Sequence, residues 1–443
     1  MADGIRYAGD VNIEAMLVYT NTGLLIDLKE FLVEFNLYED IFKHFLYGEI
    51  VLSDSINIIE EGPIVGEEGL FLSIRTPTFP NAIKKDFRIF KVSDRVLENQ
   101  TTQSYILHFV STEVFNDVSF PIYKSFEGRP HQIAENIFFD YVAATRNYTT
   151  DQSFTKLFDP NITSDFNILN FTSNNVKYVS PGWTPFKNIN WLASKSIPDD
   201  GIGKNYLFFE SNKGFYFGSI EKLFKIGEQN GVNGNYVYGA VKNIRKRKFG
   251  IDIDREMFIA ESARIVNNVD YIKLSTNGYL SNRLITLDVY NKEIKYVDYD
   301  YVNEYSKQFH SSGEGGTSVP VFSQDTKRTP TMHTSFYPVN PKLFNNFPGN
   351  VSEKMQDIFG NRRSSLIDLT NIKMNIDVPG RTDIEVGNMI NFRMPKLGPV
   401  DRTNSEEQKD KLYSGKYLVT AIHHRITVNK HMMSMEIIKD SLK

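Results

Sequence analysis

Alternating apolar and polar positions dominate the first hundred residues. In FLVEFNLY, Val33, Phe35 and Leu37 alternate with Glu34 and Asn36, and this period of two predicts a strand with one buried face. Further strands are predicted at EIVLSD, GLFLSIRTP, DFRIFKVSDRV and SYILHFVSTEVF, each bounded by Gly, Pro, Asn or Asp. The spacing predicts an antiparallel sheet or barrel over residues 30–116, after an N-terminal segment, 1–29.

The middle of the chain mixes helical and strand periodicity. A short amphipathic segment, DIFKHFLY, is predicted to end at Gly48, before the second strand. RPHQIAENIFFDYVAATR and NINWLASKS have the apolar spacing of helices, which predicts an α/β domain over 117–205. YLFFES and GFYFGSIEKLF predict strands on either side of a turn at 212–214.

Residues 241–348 are predicted to form an inserted domain. Strand patterns occur at DYIKLST, RLITLDVYN and EIKYVDYDYV. Patterning then weakens through HSSGEGGTSVP to about residue 348, which predicts a long loop-rich insertion over 302–348.

The last segment repeats the first. Asn350 and Glu353 predict a capped helix at VSEKMQDIFG, and strands follow at NIKMNIDV, NMINFRMP, KYLVTAIHHRI and MMSMEIIKD. EEGLFLSIRTP and EVGNMINFRMP share Glu, one residue, Gly, four residues, Ile or Phe, Arg, one residue and Pro. Convergence would explain one such strand, but the matching order of four elements favours a duplicated barrel, the second copy spanning 206–240 and 349–443.

Composition narrows the class of protein. Charged residues at 23% and hydrophobic residues at 41% are typical of folded soluble proteins, and a net charge of -4 gives no general attraction to nucleic acid. The aromatic content of 13% favours β structure and large interfaces. The absence of cysteine excludes disulfides, thiolate metal sites and a thiol nucleophile. No secretory signal and no apolar run of about 20 residues is found, so no membrane insertion is predicted.

Candidate chemistry in the sequence is sparse. His423, His424 and His431 suggest a metal site, but adjacent residues of a strand point to opposite faces, so at most one of the first two can join His431. Asp298 and Asp300 would share a strand face as paired carboxylates do, but each is flanked by Tyr, and a solvated acidic strand edge is the favoured explanation. No catalytic residue, metal or cofactor is predicted from the sequence.

One basic run stands out in KNIRKRKFG. It can form a docking patch, a solvated loop or, least favoured, a nucleic-acid contact. Its basic residues are Lys242, Arg245, Lys246, Arg247 and Lys248.

Five blocks of sequence carry a resemblance to a known family. They are FLVEFNLYEDIFKHFLYGEIVLSDS, IVGEEGLFLSIRTP, NYLFFESNKGFYFGSIEKL, VPGRTDIEVGNMINFRMPK and SGKYLVTAIHHRI. In this order they resemble the baseplate central hub protein of contractile-tailed, T-even-like phages and, more distantly, the hub domain of type VI secretion spike proteins. The resemblance runs from about residue 30 to the end and has no good match over 302–348.

The resemblance implies a mainly β (α+β) protein that forms a homotrimeric ring. Each chain would supply two similar antiparallel β-barrel tube domains joined by smaller α/β domains, so that three chains give pseudo-sixfold symmetry. Such a ring adapts a sixfold tail tube to a threefold spike, which no single point group matches. The strand that carries the repeated motif would occur twice in each chain, so that three chains can present six similar edges.

The resemblance also implies partners and a location. The partners would be the central cell-puncturing spike, the tail tube or a tube-initiator protein, and the tape measure protein. DNA would pass through the lumen without specific binding, and the net charge of -4 predicts a lumen with little positive charge. The chain would be assembled in the host cytoplasm and reside in the virion tail baseplate, as a structural protein rather than an enzyme. A tail-associated glycan hydrolase or a carbohydrate-binding receptor protein are the alternatives.

In such a ring, the shared motif would shape the barrel edges. The glycines would permit a bend, the prolines would end pairing, and the arginines would either reach a neighbouring barrel or lie in solvent. The motif residues are Gly69, Arg75, Pro77, Gly387, Arg393 and Pro395.

Overall fold

Strand predominates over helix, which confirms the predicted mainly β class. The computed structural model describes residues 5–77, 79, 81–143, 165–201, 204–239, 256–267, 272, 276–289, 292–304, 333–338, 358, 360, 362–367, 369, 372–396 and 409–439. Within these ranges, a 14-stranded sheet is accompanied by two three-stranded sheets and one two-stranded sheet.

The first half of the large sheet is built from consecutive strands. They are β1 (Asn12–Tyr19), β2 (Leu25–Asp27), β3 (Leu32–Asp40), β4 (Tyr47–Asp54), β5 (Gly69–Arg75), β6 (Ala82–Leu97) and β7 (Gln103–Ser111). A 3-10 helix (Lys29–Phe31) precedes β3, and α1 (Ile58–Glu61) follows β4. Their order in the sheet is β2-β1-β5-β6-β7-β4-β3, with every pair antiparallel. The predicted N-terminal segment thus contributes β1 and β2 to this sheet.

A mixed layer follows the first half. It contains α2 (Thr112–Ser119), β8 (Ser125–Gly128), α3 (Pro130–Ile137) continued by a π-helix (Phe138–Ala143), β9 (Phe166–Ile168), β10 (Val176–Val179), α4 (Pro185–Lys195), β11 (Tyr206–Ser211), β12 (Gly214–Ser219) and α5 (Ile220–Asn230). Both predicted helices are confirmed as α3 and α4. β11 and β12 form the predicted hairpin, and β12 also pairs with β9, outside the large sheet. The end of GFYFGSIEKLF is helical, because the Ser219 side chain accepts a hydrogen bond from the Lys222 N–H and caps α5.

The chain then enters the second half of the large sheet, leaves it and returns. It enters with β13 (Asn235–Tyr238), β14 (Ile259–Ala260) and β15 (Ser262–Asn267). It leaves for a separate sheet of β16 (Ser281–Asp288), β17 (Glu293–Asp300) and β18 (Thr334–Pro338), with α6 (Tyr301–Glu304). It returns with β19 (Ile372–Pro379), β20 (Met389–Arg393), β21 (Gly415–Ile426) and β22 (His431–Lys439). The four C-terminal strands predicted from the sequence are therefore confirmed, while the bounds of the predicted domains stay predictions.

Each half of the large sheet has its own hydrophobic core, and the mixed layer has a third. Phe35, Phe87 and Phe109 lie in the first core, and Phe392 and Tyr417 lie in the second. The third core packs α3 and α4 against β11 and β12. Among the described residues, no helix is long and apolar enough to cross a bilayer.

Several local predictions are wrong, and the structure gives the reasons. Val33 is 48% exposed because a β-bulge between β3 and β4 turns it out of the core. DIFKHFLY contains no helix, and Gly48 lies inside β4 rather than ending a segment. DYIKLST is not a strand where described, since Ile272 and Thr276 are helical. β18 lies within the predicted loop-rich insertion, most of which is outside the described residues, as is most of the helix predicted at 350–360.

Candidate assembly surface

Eight strands of the large sheet form one continuous antiparallel row. Its order is β15-β19-β22-β21-β3-β4-β7-β6, with hydrogen-bonded pairing between all neighbours. β5 pairs with the early part of β6, and β20 with the early part of β21. The order β5-β6-β7-β4-β3 is thus repeated as β20-β21-β22-β19-β15, and the predicted repeat is confirmed in strand order.

The two halves meet edge to edge between β3 and β21. Six residue pairs are in antiparallel register there. On the polar side, the rings of Tyr38 and His423 stack with centroids 4.4 Å apart. On the apolar side, Ile41 is fully buried in the second core, and its N–H donates to the Thr420 carbonyl at 2.9 Å. β3 therefore extends the second half of the sheet while the residue after it closes the second core.

The clustered histidines lie at this junction. His423 and His424 point to opposite faces, as predicted: His423 lies on the polar side, where its Nε2 is 2.7 Å from Asn36 Oδ1, and His424 is fully buried. Nδ1 of His424 lies 3.0 Å from Nε2 of His431, and Nε2 of His424 lies 3.2 Å from a Glu39 carboxylate oxygen. No group suited to holding a metal ion is found among the described residues. The cluster instead forms a buried polar link between β3 and the second half.

We expect this link to make the protein less stable in acid. Burial, and then the neighbouring His424, hold the pKa of His431 well below its ordinary value. Below about pH 6.5, His431 therefore binds a proton in the unfolded chain but not in the folded chain. This difference lowers the free energy of unfolding by about 1.4 kcal/mol for each unit by which the pH falls. Urea unfolding at a series of pH values should show this fall. His431→Gln should reduce the slope, and an unchanged slope would contradict the assignment.

The face of the row turned away from the two cores is polar, and several of its charged groups are paired. Each pair joins neighbouring strands and is partly exposed. The pairs are Arg425–Glu34 and Lys373–Glu436, each at 2.9 Å. Carboxylates from neighbouring strands thus accompany Arg425 and Lys373 and reduce the attraction of these cations for polyanions.

The first copy of the shared motif lies in β5. Gly69 is the first residue of this strand and Arg75 the last, and Pro77 lies in the turn that follows. Nε of Arg75 lies 2.8 Å from a Glu14 carboxylate oxygen on β1, an ion pair without hydrogen-bond geometry. Within the chain, Arg75 is thus engaged by its own sheet, and the predicted contact with a neighbouring barrel stays a prediction.

The second copy differs in its backbone. Gly387 has φ 86°, a conformation that favours glycine, and its N–H donates to the Val419 carbonyl at 2.8 Å. Arg393 ends β20, as Arg75 ends β5. Pro395 forms an isolated bridge with Lys409, so pairing continues briefly beyond the strand. The motif therefore marks equivalent strands, although only its second glycine is required by backbone geometry.

Asp298 and Asp300 lie in the separate sheet of β16, β17 and β18. Asp298 accepts two hydrogen bonds from Arg283 across β16 and β17, at 2.6 and 2.7 Å, and Arg283 lowers the pKa of the Asp298 carboxyl. The Asp298 carboxylate therefore forms a structural ion pair with Arg283. The basic run from Lys242 to Lys248 lies outside the described residues.

Sequence reasoning missed two buried carboxylates that join the mixed layer to the large sheet. Glu210 on β11 is fully buried, pairs with Lys85 on β6 and accepts a hydrogen bond from the Leu46 N–H at 2.9 Å. Glu385 accepts hydrogen bonds from Ser211 Oγ at 2.6 Å and Lys213 Nζ at 2.7 Å. The signal for Glu210 is present in YLFFES, where a single acidic residue interrupts a run of buried positions.

Comparison with known proteins identifies the fold. No protein-family model and no curated protein match the chain. The tail protein from Neisseria meningitidis MC58 aligns over 96% of this chain and 96% of its own length, with a TM-score of 0.54 and 9% identity. The 43 kDa tail protein of prophage MuSo2 from Shewanella oneidensis aligns over 97% of this chain and 99% of its own, with a TM-score of 0.52 and 7% identity. The chain shares the fold of these tail proteins, which confirms the predicted resemblance at the level of the fold.

Proposed function

We propose that the chain is the baseplate hub of a contractile phage tail, a trimeric ring that adapts a sixfold tail tube to a threefold spike. The repeated strand order within one continuous row carries this proposal. Three chains would present six similar half-sheets, while the ring as a whole would keep threefold symmetry. The shared fold with two tail proteins supports a role in the tail.

The unrepeated parts of the chain supply the threefold side. The mixed layer and the sheet of β16, β17 and β18 each occur once per chain. A trimer would therefore display three copies of them beside six similar half-sheets. The spike would dock on the threefold side, and the tail tube or a tube-initiator protein on the pseudo-sixfold side.

The polar face of the eight-stranded row would line the channel. Because Lys373 and Arg425 on this face are accompanied by carboxylates, these two cations would attract phosphates less strongly than unpaired ones. DNA and the tape measure protein would then pass without specific binding. The ring would lie in the virion tail after assembly in the host cytoplasm.

The residues predicted to form contacts keep their proposed roles. Arg75 and Arg393 would lie at strand ends near barrel edges, together with the motif glycines and prolines. The basic run 242–248 would form a docking patch for an acidic partner surface.

The alternative functions have less support. A glycan hydrolase needs two carboxylates across a cleft, but Asp298 is held by Arg283. A carbohydrate receptor would present aromatic rings on loops, whereas Phe35, Phe87 and Phe109 lie in a core. Neither activity is suggested by the two tail proteins that share the fold.

We expect the purified chain to form a trimer of three times 50.9 kDa, or about 153 kDa. Light scattering would measure this mass, and negative-stain electron microscopy should show an annulus with six lobes and threefold order. A chain that stays monomeric with its spike partner present would contradict the ring. A solid elongated trimer would point to a fibre instead.

A further inference from the structure

Three polar side chains form a chain of contacts across neighbouring strands on the polar face of the row. Nε2 of His108 on β7 lies 2.7 Å from Oγ of Ser93 on β6. Nδ1 of the same imidazole lies 3.3 Å from a carboxylate oxygen of Glu49 on β4. A hydroxyl at one imidazole nitrogen and a carboxylate at the other is the arrangement that activates serine in serine hydrolases.

The strand pairing holds these side chains together. β4 and β6 are the two neighbours of β7, and Glu49 lies directly opposite His108 in the register. Ser93 lies opposite Ile106, which shares the face of His108 because the two are two residues apart on one strand. The imidazole therefore lies between the hydroxyl and the carboxylate, and the three members come from three different strands rather than from one short motif.

A bulge in β6 shapes the backbone next to Ser93. The register with β7 shifts between Ser93 and Val96, and Asp94 and Arg95 lie within this irregularity. Asp94 has φ 52°, in the left-handed region that residues with a side chain seldom adopt. Backbone conformations of this kind are concentrated at functional sites.

An apolar cavity of about 790 Å³ opens to solvent beside the three side chains. Phe90 lines it, and the ring centroid of Phe90 lies 6.1 Å from that of His108. Tyr47 and Val110 also line it, and each is two residues along its strand, or about 7 Å, from Glu49 or His108. Ligand pockets have this size and are lined mainly by apolar and aromatic side chains. The cavity can therefore hold an apolar group next to the hydroxyl.

We propose that Ser93, His108 and Glu49 form an esterase site, and that the cavity holds the acyl group of a carboxylic ester. Oγ of Ser93 attacks the ester carbonyl carbon while Nε2 of His108 takes the hydroxyl proton. The tetrahedral intermediate expels the alcohol, which leaves with that proton. A water molecule then hydrolyses the acyl-serine, giving the carboxylic acid and the free hydroxyl. This activity goes beyond the proposed hub function and does not depend on it.

Two further groups assist the reaction. Glu49 is a positioning residue, because its carboxylate favours the imidazole with the proton on Nδ1 and leaves Nε2 free to accept. The N–H of Asp94, the residue after the nucleophile, stabilises the oxyanion. Oγ of Ser93 also donates to the Asp94 carboxylate at 2.9 Å, and a hydroxyl has only one proton to donate. The hydroxyl must therefore turn from Asp94 to His108 before it attacks.

Hydrolysis of p-nitrophenyl butyrate by the purified chain tests the site. Ser93→Ala should lower kcat/KM at least about a hundredfold, because the nucleophile is lost. Ser104→Ala is the matched control, since Ser104 lies on the same face of β7 as His108 but outside the three contacts, and it should leave the rate unchanged. Equal rates for the natural chain and Ser93→Ala would overturn the proposal.

A fluorophosphonate probe gives a second readout, because mass spectrometry identifies the residue that it labels. The label should be found on Ser93 and should be lost in His108→Gln. Glu49→Gln should lower kcat at least about tenfold with KM unchanged, as expected of a residue that acts through the imidazole. Circular dichroism would verify that each variant is folded. An unlabelled Ser93, or a label that persists in His108→Gln, would contradict activation by His108.

The acyl pocket is tested by a change in its lining. Val118 lines the cavity and is 71% exposed, so Val118→Asp should leave the fold intact. It should lower kcat/KM for p-nitrophenyl hexanoate at least about tenfold more than for p-nitrophenyl acetate, because the longer acyl chain would lie against a carboxylate. Equal losses for the two esters would show that the acyl group lies elsewhere.

The outcomes separate this inference from the proposed function. A trimer by light scattering without ester hydrolysis or labelling of Ser93 would leave the hub standing and overturn the esterase site. Hydrolysis that depends on Ser93 in a chain that stays monomeric with its spike partner would support the esterase site and overturn the ring.

Discussion

Glu210→Ala should lower the free energy of unfolding by about 3–5 kcal/mol, the usual cost of removing one partner of a buried ion pair. The change leaves the ammonium of Lys85 largely buried without its counter-ion. It also removes the acceptor of hydrogen bonds from the Leu46 N–H and from Ser111 Oγ. Burial raises the pKa of the Glu210 carboxyl, and the Lys85 ammonium opposes that rise. Urea denaturation followed by circular dichroism would measure the loss.

Glu127→Ala is the matched control for this prediction. Glu127 pairs with Lys177 at 2.8 Å between β8 and β10, but both side chains are more than half exposed. Solvent screening limits such a pair to about 1 kcal/mol or less. Equal effects of the two variants would show that burial of Glu210 contributes nothing to its role in joining the mixed layer to the first half of the sheet.

Ile41→Ala should lower the free energy of unfolding by about 2–5 kcal/mol, as other large-to-small changes in packed cores do. Ile41 follows β3 but is buried in the core of the other half, so its truncation leaves a cavity at the junction. Hydrogen exchange should therefore rise first along residues 421–426, which pair with β3.

Val33→Ala provides the comparison at the other end of the same strand. Val33 is half exposed at its bulge, so its truncation should change the free energy of unfolding by less than about 0.5 kcal/mol. If Ile41→Ala destabilised the protein without faster exchange at the junction, the role of Ile41 in joining the halves would be wrong.

The strands themselves could be predicted because their signals are local. Alternation over five to nine residues, bounded by turn residues, identified β3, β6, β21 and β22. The repeated motif then identified β5 and β20 as equivalent, because both copies keep the same spacing around one strand. The strand order extends this equivalence to four more pairs of strands.

The junction of the halves could not be predicted, because its determinants are far apart in the sequence. Nothing local in FLVEFNLY indicates that β3 pairs with β21, or that Ile41 packs into the other core. The bulge at Val33 depends on the register with β4, which alternation alone does not fix.

The two copies of the motif differ in backbone conformation and in contacts, which their shared spacing does not indicate. Gly69 and Gly387 occupy the same sequence position, but only Gly387 has a positive φ, because the turn before β20 differs from the loop before β5. In the first copy, the Glu68 carboxylate, rather than that of Glu67, accepts hydrogen bonds from backbone N–H groups of the loop, at 2.6 to 3.1 Å. In the second copy, the shared acidic residue Glu385 is buried against β11. A shared spacing therefore predicts a shared strand, but not shared contacts.

The uneven spread of the two half-sheets along the chain sets the order in which they can form during synthesis. All strands of the first half lie within residues 12–111, so this half can fold as soon as that segment leaves the ribosome. β15 ends at residue 267, whereas its partner β19 begins at residue 372. Until β19 to β22 emerge, β15 lacks the strands that join it to the large sheet in the folded chain. The first half can therefore be complete while the second half is still being synthesised.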